Sequence, residues 1–319
     1  MAIKIRDYEV RLTRNKEERK QVRQLRYNVF VLEEGASVTD EQRALGEEYD
    51  AYDRFAEYMA VFHNGRVVGT YRIIDRNAAE KMGGFYTETE FNISKIKKYH
   101  GNIAEMSRAC VDPAYRENAL VMRMLWAGLG ELIVRRKIGV LFGVASFVGT
   151  KPARSAQAIS YLYYNHLTPS RLRATVITDN FADSVNPKLG RMNILPREFV
   201  DASDAKSEMT PLIKGYLRLG ATFGRGVFVD VPFNSYDVFV MIETRRMNAA
   251  YQKHFLGREN ALGEPDTERE NIIRTVGKIM TFPVVGPFKF VRAIVDFLLR
   301  EDADDAEYVE DNEKSETEE

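Results

Sequence analysis

Over the first 250 residues, apolar positions recur either every second residue or three and four apart, and the switches between these periods divide the chain into elements. "YEVRLT" (8–13) alternates as a strand does. "NKEERKQVRQLRYNVFVLEEG" (15–35) has helical periodicity, with Asn15 to cap it, Glu18 three residues on and Gly35 at the stop. That helix sets Arg26 and Phe30 on one face, one turn apart. After an acidic loop holding Asp50 and Asp53, "EYMAVFHNGRVVGTYRII" (57–74) gives two strand-like runs joined around His63, Asn64 and Gly65, and the Asn-Gly step predicts a hairpin. "AEMSRACVDPAYR" (104–116) carries the next strand into "NALVMRMLWAGLGELIVRRKI" (118–138), which is apolar on most faces and so predicts a largely buried helix. A short strand, "VLFGVASFVG" (140–149), and a helix, "SAQAISYLYYNHL" (155–167), follow. The order is β, α, β, β, β, α, β, α. Residues 168–210 read as mixed polar loop or helix. "PLIKGYLRLGATFGRGVFVDVPFNSYDVFVMIE" (211–243) then adds a short helix, a glycine-rich turn and two strands to complete a sheet.

The pattern changes after residue 256. Residues 257–271 form a polar linker, and residues 272–300 mix Phe, Ile, Val and Leu with Lys278, Lys289, Arg292 and Asp296. Two prolines and a glycine break the longest uncharged run, 279–288, so the segment is unsuited to spanning a bilayer. Its composition fits either an amphipathic stretch in a membrane interface or a helix packed on the domain. Residues 301–319 hold eleven acids and one lysine, and self-repulsion predicts a disordered tail. With a net charge of −1 overall, that tail leaves +9 on residues 1–300. The basic body suits an acidic partner as well as ordinary solubilising charge.

Composition narrows the chemistry. At 319 residues and 45% hydrophobic, the chain has enough apolar material for a substantial core. One cysteine rules out an internal disulfide framework and fits a reducing cytoplasm, and the N-terminus has no apolar export segment. Four scattered histidines and one cysteine argue against a zinc site, and no metal is expected. No phosphate-binding loop, dinucleotide fingerprint or zinc-protease motif occurs. Ser146, in "GVASFVG", does not sit in a nucleophile elbow, and Cys110 has no evident histidine partner and reads as a buried structural residue.

What remains is a set of acids and arginines: Arg26, Asp50, Asp53, Arg72, Glu105 and Arg108. Each alone is consistent with a solvated charge or a structural ion pair. Arg72 and Glu105, however, lie inside strongly apolar strand patterns, where an unpaired charge is expensive, so pairing or function is required of them. Glu105 and Arg108 are three apart and fall on opposite faces of a regular strand unless a bulge, placed at 106–107, brings them together. Asp230, Asn234 and Asp237 read as turn residues.

The element order, with a sheet that splays after the 104–111 strand, resembles the GNAT acyltransferase fold: an α/β, mixed, splayed sheet flanked by helices, here over residues 1–256 with a C-terminal amphipathic extension. The spacing Arg26, Phe30, Asp50, Asp53, Arg72, Glu105, Arg108 resembles the acyl-homoserine lactone synthases of that fold. The stretches "RYNVFVLEEGA", "VVGTYRII", "GGFYTETEF", "SRACVDPAYR" and "LFGVASFVGT", with the 211–240 run, resemble more closely the bacterial ornithine N-alpha-acyltransferases of ornithine-lipid synthesis, a family also labelled haemolysin-like. The resemblance covers roughly residues 8–255. The coenzyme A turn usual in GNAT proteins, Q/R-x-x-G-x-G/A, is missing, since Arg116 to Leu120 reads "RENAL". Coenzyme A is therefore disfavoured as the donor, and the resemblance to the homoserine lactone synthase branch implies instead the acyl-phosphopantetheine of acyl carrier protein, with no tightly bound cofactor.

The resemblance implies aminolysis of a thioester, moving a 3-hydroxyacyl group to the α-amine of L-ornithine to give lyso-ornithine lipid. Glu105 is then the base, or the residue that holds the basic water, and Arg108 its orienting or charge-stabilising partner. Arg26, Phe30, Asp50, Asp53, Arg72 and Ser146 line the acceptor side, with Asp50 or Asp53 as counter-ion for the ornithine side chain. Backbone N–H groups of Ala109 and Cys110 receive the oxyanion, and Tyr216 protonates the departing thiolate. Arg135, Arg136, Lys137, Lys151 and Arg154 flank the groove and receive the acidic carrier. The expected setting is cytoplasmic and peripheral on the inner membrane, with no nucleic-acid partner. Two alternatives stand beside this: a homoserine lactone synthase-like enzyme consuming S-adenosylmethionine, and a non-catalytic membrane-active protein. An acetyl-coenzyme A enzyme is weaker still, for want of the glycine turn.

Overall fold

In a computed structural model of the chain, residues 2–117, 120–177 and 190–247 are described, and the expected linker, interfacial segment and acidic tail all lie outside them. The described strands are β1 (Ile3–Ile5), β2 (Tyr8–Leu12), β3 (Glu57–His63), β4 (Arg66–Asp75), β5 (Phe91–Asn92), β6 (Asn102–Val111), β7 (Ile138–Val148), β8 (Thr175–Val176), β9 (Thr222–Asp230) and β10 (Ser235–Glu243). The helices are α1 (Lys16–Arg26), α2 (Asp40–Leu45), α3 (Arg76–Met82), α4 (Ser94–Lys97), α5 (Leu120–Arg136), α6 (Ala156–Asn165), α7 (Ala202–Glu208) and α8 (Pro211–Arg218). The strands form one mixed sheet in the order β1-β2-β3-β4-β6-β7-β10-β9-β8-β5. Every long predicted element is present. The short ones, β1, β5, β8, α2, α3, α4 and α7, are too brief to carry a readable period, and β7 is an eleven-residue strand rather than a short one.

The local signals act as the sequence predicts. Asn15 caps α1 by accepting the Glu18 N–H at 2.9 Å. Glu18 does not close back on Asn15; its carboxylate takes the Arg14 N–H at 2.6 Å and the Arg11 guanidinium at 2.8 and 3.0 Å. Beyond Arg26 the helix continues as a wider π-helical stretch, Tyr27–Glu33, which re-aims the side chains after it. Asn64 and Gly65 both adopt left-handed φ values, 50° and 81°, as the tight turn between β3 and β4 requires.

Two layers cover the sheet. On one face α5 buries Val121, Leu125 and Leu129 against Val10, Met59, Val61, Val68, Tyr71, Ala104, Met106 and Val111. On the other, α1 packs Val22 and Leu25 over Tyr58, Ala60, Phe62, Val67 and Cys110. Next to it α3, the turn after it and β5 set Ala78, Ala79, Phe85 and Phe91 against Ile74, Ile103, Val140, Phe142 and Phe239.

Two irregularities open the sheet. β6 runs parallel to β7 only where Asn102–Glu105 meet Ile138–Phe142, whereas β7 stays paired with β10 from Val140 to Val148. The strands part next to Gly143, where an added Cβ would lie 2.1 Å from the Met106 carbonyl oxygen. The second irregularity is a bulge. Between the β4–β6 pairs Thr70–Cys110 and Arg72–Ser107, β6 has one extra residue, and Arg108 sits there at φ 51°. The bulge therefore falls at 108–109, not at 106–107 as expected. It reverses the alternation, so Ala109 and Val111 join the α5 face while Arg108 and Cys110 join the face that carries Glu105.

Candidate active site

The face opposite α5, where β6 leaves β7, gathers the charges that the strand pattern made conspicuous. Arg72 of β4 is fully buried, and its Nη1 donates to Asp50 Oδ1 at 2.6 Å and Asp53 Oδ1 at 3.2 Å while Nε donates to Ser107 Oγ at 2.9 Å. Arg26, at the end of α1 and equally buried, donates to Glu48 at 2.5 Å and Asp53 at 2.9 Å. Arg108 reaches Asp50 at 3.1 Å and Glu48 at 3.5 Å. Its guanidinium lies between two rings, Phe233 at 4.1 Å and Tyr86 at 4.6 Å. Asp50 also caps the turn Ala51–Arg54, so the acidic loop is held both by its own backbone and by three arginines. Burial raises the Asp53 and Asp50 carboxyls, but the arginines outweigh it and leave both below the usual carboxylate range.

Glu105 differs from these acids. It is 0% exposed, Oε2 accepts the Thr87 N–H at 3.3 Å, and Oε1 is buried without a hydrogen-bond partner. Burial pushes its carboxyl up to about 7 against the pull of Arg72 and the N–H groups of Thr87 and Tyr86. A carboxyl poised there exchanges a proton near neutrality, as a general base must.

The structure thus brings Arg26, Asp50, Asp53, Arg72, Glu105 and Arg108 together. Phe30 joins their rim edge-on to Phe233, at 6.2 Å between centroids. Ala109 and Cys110 lie on the stretch of β6 that has left β7; burial pushes the Cys110 thiol up, which leaves it unsuited as a nucleophile. Ser146 is exposed on β7 opposite Asp237. Tyr216 is elsewhere: its hydroxyl meets that of Tyr71 at 3.3 Å on the α5 face, and burial raises it well above an ordinary phenol. The five basic residues expected to flank the groove are divided between two ends of β7. Arg135, Arg136 and Lys137 precede β7, whereas Lys151 and Arg154 follow it, and eleven strand residues span about 36 Å. Arg135 pairs with Glu131 at 2.8 Å and Arg136 with Glu57 at 2.6 Å, at the end where the sheet is closed.

Sequence reasoning missed Glu48, Tyr86 and Phe233, which stand in polar or turn-like stretches with no period to expose them, and Ser107, a small uncharged residue that is unremarkable inside β6. It also misread Asp237. Asp230 does serve the turn, accepting the Phe233 N–H at 3.1 Å, and Asn234 has the φ of 49° that a turn favours. Asp237, however, is buried inside β10, one carboxylate oxygen close to Asp230 and Glu90.

Residues 25–127 match a family described as an acetyltransferase (GNAT) domain. Over 263 residues the chain is 34% identical to the L-ornithine N(alpha)-acyltransferase of Rhodobacter capsulatus, covering 80% of this chain and 97% of that one. It is 32% identical over 262 residues to the protein of the same name from Rhizobium meliloti, covering 79% and 85%. Among solved structures it is similar to the AHL synthase LasI, at 17% identity and a TM-score of 0.43 over 79% of this chain and 95% of that one. It is also similar to FeeM, an N-acyl amino acid synthase from uncultured soil microbes, at 12% identity and a TM-score of 0.45 over 77% and 97%.

Proposed function

The chain belongs to the L-ornithine N(alpha)-acyltransferase family, an acyltransferase of GNAT fold, and on that premise we propose that it moves a 3-hydroxy fatty acyl group from acyl carrier protein to the α-amine of L-ornithine. The products are lyso-ornithine lipid and free carrier thiol. The observation that carries this reading is Glu105, wholly buried at the parting of β6 and β7, with one free carboxylate oxygen and a proton affinity near neutrality.

The amine nitrogen attacks the thioester carbonyl, forming the C–N bond, and its proton passes to Glu105 directly or through one water. The carbonyl oxygen gains the electron pair and is received by backbone N–H groups around Ala109 and Cys110, which the departure of β7 frees from a second ladder. Collapse breaks the C–S bond and expels the carrier thiolate, which takes up the proton that Glu105 gives back, directly or through water, to leave the free thiol. A thiol of pKa about 8.5 needs little acid assistance, so Tyr216, a weaker acid than free phenol where it lies, contributes a hydrogen bond at the α5 face rather than the proton. The Asp50, Asp53, Arg26 and Arg72 network orders the loop over the site, and Arg108 holds Tyr86 and Phe233 in register.

The carrier is assigned to the open end of the cleft, where Lys151 and Arg154 follow β7. The segment 272–300 is assigned to the cytoplasmic surface of the inner membrane, where an amphiphilic product must be delivered. Among the described residues no helix is long and apolar enough to cross a membrane. The test is mass spectrometry of the purified protein incubated with long-chain 3-hydroxyacyl carrier protein and mixed amino acids. Acyl-ornithine is the expected product, reduced on the order of 10²-fold or more in Glu105→Gln. Acylation of no amino acid would end this reading.

A further inference from the structure

Next to the arginine network lies a second group of acids that lacks an ion-pair partner among the described residues. Glu90 follows the turn Tyr86–Thr89, Asp230 ends β9 and Asp237 lies inside β10; they are 2%, 8% and 3% exposed. Each brings one carboxylate oxygen within 4.8 Å of the other two. Both oxygens of Glu90 are buried without a hydrogen-bond partner. Asp230 is held by the Phe233 N–H at 3.1 Å and Asp237 by the Ser235 hydroxyl at 3.1 Å. Three buried carboxyls facing one another are costly: burial holds all three above the usual range, Asp237 at about 6, and the neighbouring carboxylates add to it at Glu90 and Asp237. Arg108 acts on Glu90 and Asp230, yet its nitrogens are directed at Asp50 and Glu48.

We propose that Glu90, Asp230 and Asp237 form the pocket that receives the side-chain ammonium of a diamino-acid acceptor, the juxtaposition of three buried carboxylate oxygens around unpartnered Glu90 being what selects it. This inference rests on the ornithine reading above. An ammonium has three N–H donors and no acceptor, so three carboxylates match it group for group. Donor–acceptor distances of about 2.9 Å in tetrahedral directions spread the acceptors to about 4.7 Å, in keeping with the spacing here. The position fits as well. One short turn delivers the Thr87 N–H to Glu105 and leads into Glu90 of the acid cluster, so the base and the cluster are served by the same turn. Exposed Ser146, opposite Asp237 in the ladder, marks the way in. Asp50 and Asp53, which the sequence nominated for this task, are instead engaged by Arg26, Arg72 and Arg108. A divalent ion is the competing occupant, and the nearby Arg108 charge opposes it about twice as strongly as it opposes a singly charged ammonium.

The experiment compares L-ornithine with L-norvaline, its counterpart without the side-chain amine, on the full chain with one acyl donor, and measures equilibrium binding of each without donor. A site built around a charged group rejects the analogue lacking it, so ornithine is expected to exceed norvaline in kcat/KM by about 10²-fold or more. Glu90→Gln and Asp237→Asn should cut ornithine kcat/KM by a similar factor, mainly through KM, and leave norvaline within about threefold. Both variants should unfold at no lower temperature than the parent, since each removes a like charge from a buried cluster. Equal losses for both amino acids, or no discrimination by the parent, would overturn the pocket while leaving the acyltransferase reading intact. Activity abolished by chelation and restored by magnesium would overturn it in favour of a metal site. Selective binding of ornithine that the variants lose, without any acylation, would uphold the pocket and overturn the proposed reaction.

Discussion

Arg72 sits at the middle of an apolar strand and finds three partners, because a buried guanidinium left alone would be prohibitively costly. Asp53 bridges Arg72 and Arg26, so Asp53→Asn leaves two buried cations short of an anion and should lower unfolding free energy by about 3 kcal/mol in urea titration. Because the folded-state Asp53 carboxyl lies below its unfolded value, its contribution is present above the usual pKa of 3.8 and is lost as pH falls further. Glu105 has the opposite sign. Its folded value of about 7 lies above the unfolded 4.5, so the stability it contributes is full below pH 4.5 and is lost as pH rises through 7. The ionised Glu105 carboxylate therefore costs about 3 kcal/mol at pH 8, and Glu105→Gln should regain stability relative to the parent between pH 5 and pH 8. Turnover runs the other way. In the parent, kcat/KM should rise with pH through about 7, a limb that Glu105→Gln should lack. Arg72 and Glu105 were legible in the sequence because apolar neighbours made them anomalous. Glu48 and Tyr86 were not, since a charge in an acidic loop and a tyrosine in a polar turn look ordinary until the fold closes over them.

At the scale of elements, one inserted residue decides which charges meet. Without the bulge at Arg108, Arg108 would face α5 and Ala109 would face Glu105; with it, Arg108 lies over the same face as Glu105, between Tyr86 and Phe233. The sequence demanded some such break, but its position depends on how β6 pairs with β4. Gly143 plays a related part on the other strand. Gly143→Ala would set a methyl group against the Met106 backbone rather than a movable side chain, and should cost about 1–3 kcal/mol in thermal unfolding while altering the opening of the cleft. The α1 cap is a simpler case: Asn15→Ala should cost about 1 kcal/mol with kcat/KM unchanged, since Asn15 is exposed and its side chain serves the Glu18 N–H.

For the molecule as a whole, the sheet order fixes where partners can approach. β7 separates Arg135 and Arg136, paired at the closed end, from Lys151 and Arg154 at the open end, so under the proposed function charge reversal of Lys151 and Arg154 should weaken carrier binding more than reversal of Arg135 and Lys137. Surface plasmon resonance against acyl carrier protein at two salt concentrations would read both the loss and its screening. Removing 272–319 should reduce co-sedimentation with anionic vesicles and spare turnover of soluble substrates. Equal loss of both would assign that segment to the fold instead of the membrane.

The sequence by itself determined the succession of long strands and helices, the Asn-Gly hairpin, the Asn15 cap and the fact that Arg72 and Glu105 must be paired or used. All of these depend on neighbours within a few residues, or on a period of 2 or 3.6 that a single chain displays. Tertiary structure alone decided that Asp50 and Asp53 belong to arginines and that Tyr216 lies across the sheet. It also set Asp237 beside Glu90. Those pairings join residues scores of positions apart, and they follow from strand order, a bulge and burial, none of which leaves a periodic trace in the sequence.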